Sequence, residues 1–107
     1  MPQFEARTSV ADGRTVVTLA GECDLTTRDE LTTALLAAVG TAPVVVVDLA
    51  ALRFLDSSGV HGLITGHHAA LRRGHRLHVV NAGGTVAHVL AMTGVGDLLA
   101  PPPAAAL

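Results

Sequence analysis

The residues best suited to chemistry stand together at Asp56-Ser57-Ser58-Gly59, preceded by Phe54-Leu55 and followed by Val60, Leu63, Ile64, His67 and Leu71 at helical spacing. Here loop gives way to helix. Ser57 stands where an N-cap belongs, its hydroxyl accepting a hydrogen bond from an amide of the first turn. The third helical position is Val60, not Glu or Gln, so no capping box forms and the first turn is expected to be open.

Other chemistries fit less well. Ser57 lacks the Gly-x-Ser-x-Gly elbow of a hydrolase, and nothing fixes a histidine and an acid beside it. Asn81-Ala82-Gly83-Gly84 resembles part of a phosphate loop, but the chain has no lysine, so the segment reads as a turn and helix cap. The six histidines do not make a metal site: His61 and His68 share an exposed helix face without a carboxylate or cysteine at ligand spacing. His67 reads as a hydrogen-bonded core residue, and His75 and His78 as surface residues flanking a strand start. Asp24 and Asp56 would be an acid and base pair only with a pocket around them, and aromatic residues to line one are scarce. No cofactor and no metal is expected.

The elements that position Ser57 follow an α/β rhythm. Residues 3 to 10 alternate, with Phe4, Ala6 and Val10 on one side, and Asp12-Gly13 turns this edge strand into a second, Thr15 to Leu19. Thr27 and Glu30 make a capping box for a helix carrying Leu31, Leu35, Ala38 and Val39 inward until Gly40. Val44 to Val47, apolar on both faces, reads as a central parallel strand with helices on either side. A helix over 58 to 73, a strand over Leu77 to Val80 and a helix over Thr85 to Thr93, closed by Gly94, complete the domain. Right-handed crossovers put Ser57 at the carboxyl end of the valine strand, where open sheets carry their sites. Along the middle helix Gly59, Gly62, Gly66 and Ala69 form a bare flank, either packed under a neighbouring helix or open as a docking surface. The expected fold is one α/β domain over 1 to 100, a mixed sheet of four or five strands opening with an antiparallel hairpin and covered by three or more helices. Residues 101 to 107, Pro/Ala-rich, read as a frayed tail.

Composition narrows the partners. With 107 residues there is room for one compact domain. No apolar run approaches the roughly 20 residues that cross a bilayer, and the N-terminus has no signal-peptide layout. Net charge is −2, and Arg72, Arg73 and Arg76 are the largest basic cluster, so nucleic acid is not an expected partner. The single Cys23 suits a reducing compartment, and the expected location is cytoplasmic.

The runs Asp48-Leu49, Phe54 to Gly59, Arg76 to Asn81 and Leu90-Ala91-Met92-Thr93-Gly94 together resemble the STAS family (sulfate transporter and anti-sigma factor antagonist). Gly21-Glu22-Cys23-Asp24 resembles that family's Gly-Glu-hydrophobic-Asp motif, and the similarity spans residues 3 to about 100. The resemblance implies a non-enzymatic anti-sigma factor antagonist. Its partner would be an anti-sigma factor serine/threonine kinase that phosphorylates Ser57, and a PP2C-type phosphatase would restore the unmodified form. Asp24, Asp56, Ser58, Gly59, His61 and Gly62 would form the partner-binding surface. His61 departs from the family pattern, which commonly has a small residue there. The family also implies an alternative, a non-phosphorylated accessory subunit of a lipid-transport or other regulatory complex.

Overall fold

A computed structural model describes residues 3–102, so the expected tail lies outside the described residues from 103 onward. The chain begins with β1 (Phe4–Ala11) and β2 (Arg14–Cys23), an antiparallel hairpin in which Phe4 faces Gly21 and Ala11 faces Arg14. Asp12 and Gly13 both have positive φ, 52° and 78°, the two-residue turn whose twist matches that of its strands. Then come α1 (Arg28–Thr41), β3 (Val44–Leu55), α2 (Ser57–Arg72) and β4 (Arg76–Val80). Two short helices, α3 (Gly84–Met92) and α4 (Val95–Leu99), end the domain. The sheet order is β1-β2-β3-β4, with β3 parallel to both β2 and β4. This is the mixed sheet expected from the hairpin and the valine run.

Strand alternation sorts the sheet into two faces. On one, Val17, Leu19, Val45, Val47, Leu77 and Val79 are buried against the helices. Leu31, Leu35, Ala38 and Val39 of α1 meet them, as their helical spacing required. On the other face Val44 and Val46 are only half-buried, so helices do not enclose both sides of the valine run. Val10, expected inward, is exposed, because the hairpin tip overhangs the core. β3 also runs well past its valines to Leu55, turning Phe54-Leu55 from expected loop into strand. Its extension pairs with β2 after the partnership with β4 has ended at Asp48 and Val80. The short α4 went unread, although the spacing of Val95 and Leu99, both buried, is helical.

The glycine flank of α2 is packed, not open. A methyl group at Gly62 would lie 3.0 Å from Leu31 Cδ2, and one at Gly66 would lie 3.1 Å from Leu35 Cβ and from Leu77 Cδ1. Losing a side chain from each turn lets α1 approach closely enough for its leucines to fill the notches. That contact offsets the roughly 1 kcal/mol by which each helical glycine disfavours the helix. Two histidines differ from expectation. His67 is half-buried, and its Nδ1 has no hydrogen-bond partner among the described residues. His75 is no free surface residue: its Nδ1 lies 2.9 Å from the Val39 carbonyl, tying the α2–β4 turn to the end of α1.

Two outcomes follow. Gly66→Leu should destabilise the domain by about 1–3 kcal/mol through overpacking, whereas Gly83→Ala, with open space around it, should melt like the parent in thermal denaturation followed by circular dichroism. His67 and His78 are both held below the ordinary imidazole range, first by burial, then by His68 in one case and by Arg76, His67 and Arg14 in the other. The unfolded chain therefore takes up protons more readily than the fold as pH falls below about 6.5. Stability should be full well above that value and decline as pH falls through and below it. A His67→Gln/His78→Gln double variant should flatten that slope in melting curves recorded across the range.

Candidate functional site

The site is assembled by the far ends of two parallel strands. Glu22 pairs with Phe54 and Cys23 with Leu55, after register shifts between Thr18 and Ala20 and between Gly21 and Glu22. The amide of Asp56 then donates to the Cys23 carbonyl at 3.2 Å, extending the ladder to the residue before α2. Gly21-Glu22-Cys23-Asp24 and Phe54 to Gly59, far apart in sequence, thus end side by side. Gly21 is the permissive point, with φ of 93° and no room for a side chain against the backbone of Gln3.

Asp56, not Ser57, caps α2. Its backbone is extended (φ −105°, ψ −173°), and its Oδ1 accepts from the amides of Ser58 at 2.9 Å and Gly59 at 3.2 Å. A carboxylate is the stronger acceptor and also meets the positive end of the helix dipole, so it takes the place expected for the serine. The first turn is therefore occupied rather than open. Ser57 becomes the first helical residue, exposed, and its hydroxyl has no hydrogen-bond partner among the described residues. Ser58 is half-buried, and His61, one turn beyond Ser57, is exposed.

Asp24 organises the neighbouring loop. Its Oδ1 accepts from the Thr26 amide at 2.9 Å and hydroxyl at 2.6 Å, and its Oδ2 accepts from Gln3 Nε2 at 3.1 Å. The Thr26 hydroxyl first, then the Thr26 and Thr27 amides and Gln3, hold its carboxyl below the usual carboxylate range against a smaller opposing effect of desolvation. The Thr27–Glu30 capping box does not form. Thr27 has helical backbone angles (φ −114°, ψ −1°), and its Oγ1 turns back to accept from the Asp24 amide at 3.0 Å. Beneath the two aspartates lies Cys23, fully buried, its thiol pushed up chiefly by burial, a shift opposed by its hydrogen bond with Thr27 and reinforced by Asp56, Asp24 and Glu30.

Asp24, Asp56, Ser57, Ser58 and His61 are thus brought to one end of the sheet. Gly59 and Gly62 are buried, the first against Leu55 and Cys23, the second against α1, and so shape this surface from below. Two apolar residues not expected from the sequence as surface contacts belong to the same end: Leu25, 66% exposed beside Asp24, and Phe54, 41% exposed, leading into Asp56. Their placement depends on where strand and loop end, which hydropathy alone did not show. No group of His, Cys, Asp and Glu suited to a metal ion occurs among the described residues.

Comparison with known proteins places this geometry. A family model described as "Mlab, STAS domain" matches residues 6–100. No curated protein matches the chain. Among solved structures, an anti-sigma factor antagonist from Mycobacterium paratuberculosis is 28% identical, with a TM-score of 0.81 over 96% of this chain and 90% of that one. The phosphorylated form of SpoIIAA, a cell fate determinant of Bacillus, is 20% identical, with a TM-score of 0.70 over 95% of this chain and 96% of that one. A sulfate transporter family protein from Wolinella succinogenes shares the fold at 20% identity and a TM-score of 0.71, covering 85% of this chain and 75% of that one. With the match running from β1 to beyond α4 and the two motifs joined as described, the chain belongs to the STAS domain family.

Proposed function

We propose that this protein is an anti-sigma factor antagonist that works by binding rather than by catalysis, and that phosphorylation of Ser57 switches the binding off. The observation that carries the reading is the division of labour at α2: Asp56 holds the first turn while the Ser57 hydroxyl stays exposed. A kinase can take that hydroxyl without dismantling the cap. The partner is an anti-sigma factor serine/threonine kinase, and a PP2C-type phosphatase reverses the modification, in the cytoplasm. No helix among the described residues is long and apolar enough to cross a membrane, in keeping with that setting.

The mechanism follows from charge. Unmodified, the surface offers a neutral hydroxyl with Leu25 and Phe54 as apolar contacts and Asp24, Asp56, Ser58 and His61 as polar ones, above the buried Gly59 and Gly62. A phosphate adds about −1.5 to −2 charges beside the Asp56 carboxylate. A partner fitted to the hydroxyl would then face a dianion, and each ~1.4 kcal/mol of mismatch weakens binding tenfold. Because two first-turn amides already serve Asp56, the phosphate finds few free donors within the domain and is left toward the partner. The fold itself need not rearrange. Similarity to a protein solved in both unphosphorylated and phosphorylated forms supports this.

A second reading, which membership of the STAS family also allows, is an accessory subunit of a lipid-transport or other regulatory complex; in that setting Ser57 is unused. Incubation with an anti-sigma kinase and ATP should place a single phosphate on Ser57, read by mass spectrometry, and none on the Ser57→Ala variant. Ser57→Asp should weaken kinase binding tenfold or more, about 1.4 kcal/mol, with the melting temperature within about 5 °C of the parent. Phosphate elsewhere, or binding indifferent to Ser57→Asp, would favour the accessory reading.

A further inference from the structure

The second face of the sheet holds a feature that the Ser57 surface does not use. At the amino end of β3, opposite the site, Val44 and Val46 join Val80 of β4 in the floor of a groove of about 360 Å³. Arg14 of β2 and Arg76 and His78 of β4 stand on its sides, and Pro101 and Pro102 close it. In the parallel register Val46 lies beside His78, and Val44 beside Arg76. A smaller cavity of about 130 Å³, sharing Arg76, His78 and Pro102, continues the groove under α2 to His67.

Three observations together define an occupant. The floor is aliphatic and only half-buried on a sheet face that no helix residue lines at this point. The charged side chains that line it are of one sign: among the described residues no carboxylate lines either cavity, the nearest on this face being Asp48 beside Val80, which accepts from Asn81 Nδ2 at 3.1 Å, and neither Arg14 nor Arg76 makes an ion pair. Aromatic rings are absent, since Phe4 and Phe54 lie elsewhere and the chain has no Trp or Tyr, so nothing there would stack on a base or a sugar. The volume lies at the lower end of small-molecule pockets, which run from about 300 to 1,000 Å³.

We propose that this groove binds a medium-chain aliphatic carboxylate, with its hydrocarbon on Val44, Val46 and Val80 and its carboxylate between the Arg14 and Arg76 guanidiniums. Guanidinium is the side chain best matched to a planar carboxylate, which it meets with two parallel hydrogen bonds. His78 stands one row further along, beside Val46, where its ring borders the same chain of groups. The proposal is independent of the phosphorylation reading, because groove and Ser57 lie at opposite ends of β3.

Decanoate titrated into the full-length protein, followed by isothermal calorimetry and by amide and imidazole NMR, provides the test. Binding should saturate at one equivalent below the micellar range, with the largest shifts at Val44, Val46, His78 and Val80 and little change at Ser57. The bound anion should raise the His78 pKa, which at present burial first, and then Arg76, His67 and Arg14, hold down. Arg14→Gln/Arg76→Gln, both at exposed positions, should weaken decanoate at least tenfold while leaving melting unchanged. Decanol should bind at least tenfold more weakly than decanoate to the parent. Equal binding of decanol, insensitivity to the arginine substitutions, or no saturable binding would each overturn the assignment.

Discussion

The pairing of β2 with β3 is the constraint on which the rest of this molecule depends. It is a parallel ladder between strands of unequal regularity, and its two register shifts bring Cys23 opposite Leu55 rather than leaving the strand ends splayed. The Asp56 amide completes it on the Cys23 carbonyl. From that last bond α2 takes its starting point, and Asp24, next after Cys23, its place at the same end of the sheet as Ser57. Gly59 then settles over Leu55 and Cys23, and Gly62 and Gly66 dock against α1. Core packing and site geometry are therefore one problem with one solution, since the strand that fills the middle of the sheet also delivers the loop.

A switch of the kind proposed would separate stability from signalling. The helix start is held by the Asp56 carboxylate, and the hydroxyl proposed for modification belongs to the next residue, where it makes no hydrogen bond among the described residues. Asp24 is likewise spent on its own loop, bound by Thr26 and Gln3, so both acids near Ser57 are fixed charges rather than mobile arms. Added negative charge is then felt most by whatever docks there.

Much of this was legible in the residues. The Asp12-Gly13 turn, the leucines of α1 and the β-branched run of β3 are local patterns with a strong physical cause, and each element formed where its pattern stands. The boundaries of the site were less legible. Ser57 and Asp56 compete for one cap, and composition does not say which backbone will be extended; the strand pairing that extends Asp56 is a long-range contact. For the same reason Thr27 was misassigned: its hydroxyl is claimed by the Asp24 amide behind it, not by the helix ahead. The glycine flank left packing and docking equally open, and only the approach of α1 decided between them. The uncovered second face of β3 was hidden because a valine run looks the same whether helices lie on one side or both.

The division between cap and acceptor is open to direct measurement by thermal unfolding of Ser57→Ala and Asp56→Ala side by side. The account predicts that Ser57→Ala changes stability by no more than about 0.5 kcal/mol, whereas Asp56→Ala costs about 1 kcal/mol through loss of the cap. The reverse order, with the serine variant destabilised and the aspartate variant unaffected, would show that Ser57 holds the helix and would contradict the claim that its hydroxyl is free to serve as a switch.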